Sequence, residues 1–130
     1  MTYPSVPADF YQKVGGEEFF TQLVHRFYQG VAGDPELRPM YPEENLTGAE
    51  IRLRLFLMQY WGGPTTYSEN RGHPRLRMRH HPFVITLAGR DRWLSHMRAA
   101  LDSLDVDPDY DRLLWQYFEL AAHSMVNAPG

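Results

Sequence analysis

Six histidines (His25, His73, His80, His81, His96 and His123) are the strongest metal-ligating side chains in a 130-residue sequence that has no cysteine. A zinc centre wants three or four converging ligands. The spacing argues against one, since His25, His96 and His123 fall in three different stretches and no His-Glu-x-x-His pattern occurs. His73, His80 and His81 remain, close together in the chain. The lack of cysteine removes disulfides, thiolate nucleophiles, iron–sulfur clusters and cysteine-bound zinc, and it fits a reducing, cytoplasmic setting. Polar aromatics are the second chemical resource. Tyr28, Tyr41 and Trp93 offer two hydroxyls and an indole N–H. Aromatic residues make up 14% of the chain, enough to line a pocket for a flat apolar ligand. Taken singly, Tyr28 reads first as a core tyrosine, Tyr41 as a turn aromatic before Pro42, and Trp93 as helix packing.

These side chains need a scaffold, and the apolar spacing supplies one made of helices. Residues 1–9 hold two prolines and read as a flexible arm, leaving 10–130 as a single domain. A short helix covers Phe10 to Val14 and stops at Gly15-Gly16. From Glu17 to Val31, Phe20, Val24, Phe27, Tyr28 and Val31 recur at helical spacing. Asp34-Pro35 then caps a helical turn that runs into Met40-Tyr41-Pro42. Thr47-Gly48-Ala49-Glu50 matches a capping box. The helix it opens reaches about Trp61, with Ala49, Leu53, Phe56 and Tyr60 on one stripe, and Gly62-Gly63-Pro64 stops it. Residues 62–73 read as a long polar loop. A short helix from His73 to His80 follows, ended by Pro82. Thr86 caps a helix to about Leu104, aligning Arg90, Trp93, Met97, Ala100, Leu101 and Leu104. Asp107-Pro108 caps the last helix, which aligns Leu113, Leu114, Tyr117, Ala121 and Met125. No segment alternates as a strand would, so the fold class is all-α.

Two of these elements are odd for a plain helical bundle. Long loops inside compact domains are usually functional or disordered, and a helix as short and polar as 73–80 is unstable alone. A ligand bonded to it from inside would hold it. His80 shares a face with His73 and Leu76, at i, i+3 and i+7, and is the last residue before the chain breaks. His81 points about 100° away. A single imidazole facing inward from a short helix suits an axial haem ligand.

Bulk properties exclude other classes. Net charge is −3, from 13 basic and 16 acidic residues, and the basic stretch Arg71 to Arg79 is short and interrupted. The expectation is therefore no nucleic-acid partner. No apolar run approaches the roughly 18 residues of a membrane span, and Met-Thr-Tyr-Pro-Ser lacks the start of a signal peptide.

The stretches Gln59-Tyr60-Trp61-Gly62-Gly63-Pro64, Thr66-Tyr67-Ser68-Glu69 and Arg71-Gly72-His73-Pro74-Arg75-Leu76-Arg77-Met78-Arg79-His80 resemble the group II truncated haemoglobins. Phe27-Tyr28, Met40-Tyr41-Pro42-Glu43 and Asp91-Arg92-Trp93-Leu94 resemble the same family in order and spacing, close to its actinobacterial form. The resemblance runs from about Phe10 to Asn127. It implies a globin-like, truncated two-over-two helical sandwich around one non-covalent haem b per chain. It implies His80 as the proximal iron ligand, with Tyr28, Tyr41 and Trp93 lining the distal pocket. Ala49 would sit where many globins place a distal histidine, with Leu53 one turn on. Arg52 and Arg79, otherwise solvated charges, would reach the haem propionates. Phe56, Tyr60, Tyr67, His73, Leu76, Met78 and Phe83 would lie near the haem or just behind it. An arm longer than the family's and His81 directly after His80 are the departures.

Function follows as an expectation from that resemblance. The chain would bind oxygen, CO and NO reversibly, and release oxygen slowly because aromatic donors hold a ligand that has gained negative charge. Such a bond is worth roughly 1.5–3 kcal/mol in a dry pocket. A haem enzyme, either a nitric-oxide dioxygenase or a weak peroxidase, is the alternative. Any redox cycle would need an external reductase or electron donor. A helical interaction module is the third reading. A homo-oligomer is left open.

Overall fold

Two glycines set the first corner. Helix α1 (Phe10–Val14) ends at Gly15, whose φ of 125° is open to glycine alone, and Gly16 at φ 62° starts α2 (Gly16–Ala32) at once. The computed structural model describes residues 2–129. A 3-10 turn, Arg38–Met40, follows α2. The remaining elements are α3 (Thr47–Tyr60), α4 (Thr66–Arg71), α5 (Leu76–His80), α6 (Leu87–Asp102) and α7 (Pro108–Ser124). Among the described residues there is no strand. No helix among them is long and apolar enough to cross a membrane.

Packing follows the apolar stripes. Helix α2 buries Phe19, Phe20, Leu23, Val24, Phe27, Tyr28 and Val31, and lies against both α3 and α6, while α6 lies against α7. The result is two helix pairs, α2–α3 and α6–α7, one over the other. Trp61 and Phe10 are fully buried at one end, with ring centroids 4.6 Å apart. Tyr3 of the N-terminal stretch lays its ring 5.7 Å from that of Tyr117. The caps of the second pair form as the sequence predicts. Gly89 N–H donates to Thr86 Oγ1 at 3.0 Å, and Asp109 N–H donates to Asp107 Oδ1 at 2.9 Å.

Three expectations need correction. The capping box at Thr47 does not form. Asn45 Oδ1 accepts the Thr47 N–H at 3.1 Å instead, and Glu50 turns across to His25 Nδ1 on α2 at 3.2 Å. The stretch 62–73 is not one loop, because α4 interrupts it. Tyr67 is buried there, and the Gln59 amide grips Ser68 twice: its Nε2 donates to Ser68 Oγ at 2.7 Å and its Oε1 accepts the Ser68 N–H at 3.0 Å. The helix expected from His73 begins only at Leu76. Arg75 adopts a left-handed conformation, φ 44°, which breaks the register of His73 with the helix.

Candidate functional site

A cavity of about 460 Å³ opens between the two helix pairs, within the range of cofactor sites. Helix α2 supplies Tyr28; α3 supplies Ala49, Arg52, Leu53 and Phe56; α4 supplies Tyr67 and Arg71. On the opposite wall stand Leu76, Arg79 and His80 of α5, with Phe83 just beyond. Trp93 comes from α6, and Tyr41 from the turn after the 3-10 segment. Twelve of the residues singled out from the sequence thus share one cavity. Tyr60, His73 and Met78 are not brought to it. Tyr60 packs behind the wall, its ring 4.2 Å from that of Tyr117. His73 lies exposed before α5 and accepts the Arg75 N–H at 3.3 Å. Met78 is 59% exposed on the outer face of α5, because it is two residues from both Leu76 and His80 and a helix turns about 200° over that interval.

The neutral His80 ring is held in one tautomer. Its Nδ1 lies 2.7 Å from the Leu76 carbonyl oxygen, which can only accept, so Nδ1 carries the proton and the lone pair of the neutral ring falls on Nε2. The turn after it is tied from the far end of the chain. Asn127 Nδ2 donates to the Phe83 carbonyl at 2.8 Å and to that of His80 at 3.4 Å. Asn127 Oδ1 accepts the Ile85 N–H at 2.9 Å, and the Asn127 N–H donates to the Ile85 carbonyl at 2.9 Å. Arg79 secures the entry to α5, with Nε donating to the Pro74 carbonyl at 2.7 Å and Nη2 to that of Arg71 at 2.9 Å.

Across the cavity the polar aromatics stand together. The rings of Tyr28 and Tyr41 meet edge to face, 5.6 Å apart, and Phe27 lies between Tyr28 (4.9 Å) and Trp93 (4.8 Å). Burial, followed by the neighbouring Tyr41, pushes the Tyr28 phenol well above its usual range. Burial also raises Tyr41, although donors from Tyr28 and Trp93 oppose the rise. Both phenols therefore keep their protons at neutral pH and can donate. Tyr41 is positioned by Arg38, whose guanidinium donates to the carbonyls of Tyr41 (3.0 Å), Glu43 (2.8 Å) and Glu44 (3.0 Å). The 3-10 segment is anchored in turn by the buried Asp34. Its Oδ1 accepts the N–H groups of Glu36 and Leu37 and the Arg92 guanidinium, and its Oδ2 meets His96 Nε2 at 2.7 Å. The hydrogen bond from His96, above all, holds this carboxyl far below the ordinary carboxylate range, helped by the two amides and Arg92.

Charge at the site is uneven. Arg52 is ion-paired with Glu43. The Glu43 carboxylate is held low first by its own backbone N–H, with Arg52 contributing. Arg71 and Arg79 have no acidic partner among the described residues, and Arg71 sits 6.0 Å from the Tyr67 ring centroid. The residues present fit a flat apolar group with anionic edges: one imidazole with a free lone pair, two uncompensated guanidinium groups and largely apolar walls. Sequence reasoning missed part of this wall. Tyr117, Phe118 and Ala121 of α7 face the cavity, as does Met40. The alanine pair Ala121-Ala122, which leaves room beside the α7 stripe, is the signal that could have found it. Nothing local marks Arg38 or Asn127.

Comparison with known proteins agrees with this geometry. Residues 9–127 match the bacterial-like globin family. Over 112 residues the chain is 45% identical to the group 2 truncated hemoglobin YjbI of Bacillus subtilis, covering 86% of this chain and 84% of that one. It superposes on a thermostable hemoglobin from the actinobacterium Thermobifida fusca with a TM-score of 0.91 at 65% identity, covering 93% of this chain and 98% of that one. The group II truncated hemoglobin from Bacillus anthracis gives a TM-score of 0.91 at 38% identity, covering 95% and 100% respectively.

Proposed function

This chain belongs to the bacterial-like globin family, and from that footing we propose that it binds one non-covalent haem b on His80 and holds diatomic gases, oxygen foremost, with CO and NO as further ligands. The observation that carries the reading is the His80 ring, with Nδ1 committed to the Leu76 carbonyl and Nε2 left as a donor to metal. Bound haem supplies an iron with one open position for a gas molecule. The protein's own residues do the rest. Arg71 and Arg79, which line the cavity without an acidic partner, would take the haem carboxylates, while Arg52 is engaged with Glu43. Phe56, Tyr67, Leu76 and Phe83, which line the cavity, would keep water from the bound group. Ala49 and Leu53 leave space on the gas side.

Tyr28, Tyr41 and Trp93 then face that space with three donors, and a guest that gains negative charge accepts from them. This arrangement favours slow release. Asp34 and Arg38 fix Tyr41 so that the donors are set in advance. Residues 10–130 act as the domain and 1–9 as an arm, in the cytoplasm, where a cysteine-free chain needs no oxidising environment. The test is spectroscopic: the purified full chain supplied with haem should develop a Soret band that shifts under CO after reduction. A chain that never develops the band refutes the reading.

A further inference from the structure

Between Asn70 and Arg90 the chain carries five arginines and no acidic residue. Overall net charge is −3, so the remaining residues sum to −8. Among the described residues, Arg71, Arg75, Arg77 and Arg79 form no ion pair, nor do the scattered Arg26, Arg38 and Arg54, while Arg52, Arg90, Arg92, Arg98 and Arg112 do; only the α5 segment gathers unpaired arginines together. The same segment leaves Met78 59% exposed and Val84 70% exposed. Beside α5 runs a second hollow, of about 400 Å³, with Arg77, Met78 and His81 on one wall and Met125 and Val126 on the other. Met125 lines both this groove and the main cavity. His81, on the groove, is bonded directly to His80, on the cavity.

The exposed Met78 beside the unpaired Arg77 on this groove suits a protein-docking face for an acidic partner. The position of this one narrows the partner further. The groove carries His81, the chain neighbour of the proposed iron ligand His80, and shares Met125 with the main cavity. Resting on the haem reading above, we propose that the groove face of α5, centred on Arg77 and Met78, docks an acidic protein that is a one-electron carrier. In each encounter one electron would leave the carrier's reduced iron–sulfur centre, and a ferric haem held on His80 would take it up and become ferrous. No bond forms or breaks in the protein. Arg71 and Arg79 turn to the haem carboxylates, which leaves Arg75 and Arg77 for the partner. A stretch of like charge with the rest of the chain at −8 also disfavours nucleic acid as the occupant.

The test uses the full, haem-loaded ferric chain and an acidic two-iron ferredoxin as the probe. Stopped-flow reduction by pre-reduced ferredoxin should slow about tenfold or more between low and high salt. At low salt, Arg77→Glu should lose about tenfold and Met78→Ser a smaller factor, while Arg112→Glu on α7 keeps the wild-type rate. Independently of turnover, oxidised ferredoxin added to the isotope-labelled chain should shift the amide resonances of Arg77 to Val84 and of Met125 to Asn127. Salt-independent reduction, equal effects of Arg77→Glu and Arg112→Glu, or a footprint elsewhere would overturn the proposal. So would Arg77-dependent binding to anionic phospholipid vesicles that exceeds binding to ferredoxin. A chain without a Soret band refutes the haem reading itself, and a Soret band with any of these failures refutes only the docking face.

Discussion

Replacing Trp93 with phenylalanine removes one hydrogen-bond donor and little else. The Trp93 ring packs 4.8 Å from Phe27 and 6.0 Å from Phe118, and a phenyl ring retains most of that contact. Trp93 lines the same cavity as Tyr41 and is among the groups that hold the Tyr41 phenol down against the rise from burial. It can therefore reach a gas molecule directly, or hold Tyr41 so that Tyr41 does. In either case one bond to a partly charged acceptor is lost, worth about 2 kcal/mol. Expressed wholly in the off-rate, that is about thirtyfold faster oxygen release. Tyr41→Phe removes the other end of the same pair, so the double variant should fall well short of the product of the two single effects. Stopped-flow oxygen release from the ferrous protein reads all three variants. A Trp93→Phe protein that releases oxygen at the wild-type rate would show that the indole only packs.

Other variants test the remaining parts. His80→Ala should lose haem or the spectral signature of imidazole ligation, while His81→Ala keeps both; the reverse pattern, read by absorption and resonance Raman spectra, would move the assignment by one residue. Asp34→Asn should lower stability, since it strips the charge facing Arg92 and His96, and the melting temperature should fall with it. Because the Asp34 carboxyl titrates below its unfolded value, its contribution is complete above about pH 4 and fades as pH falls further, so the gap between wild type and variant should close in acid. Asn127→Asp keeps the acceptor for Ile85 but loses both donations, and hydrogen exchange should quicken at the Phe83 to Ile85 amides while the core of α2 stays protected. Gly30→Ala puts a methyl carbon 2.4 Å from His96 Nδ1; it should destabilise by about 2 kcal/mol, and unchanged thermal unfolding would show that His96 can move aside freely.

The long helices were legible because their apolar stripes repeat over several turns, as in α2 from Phe20 to Val31. Side-chain caps at Thr86 and Asp107 were legible for a similar reason, since each acts within three residues. Failures occurred where the deciding partner was distant. Helix α4 depends on Gln59 and on the burial of Tyr67, neither of which six polar residues announce. Glu50 had a local cap available and a histidine 25 residues away, and the distant partner won. His73 looked like a neighbour of His80 because the helical repeat was extended through Arg75, where the backbone turns left-handed. At the site, the α7 stripe is legible as a stripe but not as a cavity wall, because a stripe facing a cofactor space and a stripe facing other side chains look the same in sequence. Asp34 meets Arg92 and His96 across 58 and 62 positions, and no local pattern predicts that.

The tie between Asn127 and the turn after His80 has a consequence for how the protein is made. Forty-seven residues separate the two, and α6 and α7 lie between them. A ribosome adding roughly 5–20 residues per second needs about 2–9 s to cover that interval. For those seconds a nascent chain has its proposed iron ligand synthesised but neither the knot that fixes the turn nor the α7 wall that closes the cavity. Haem arriving then would meet two adjacent imidazoles, His80 and His81, with nothing yet to choose between them. Selective loading of His80 thus belongs after translation has passed Asn127, and a supply of haem that outruns elongation would load the two neighbours without discrimination.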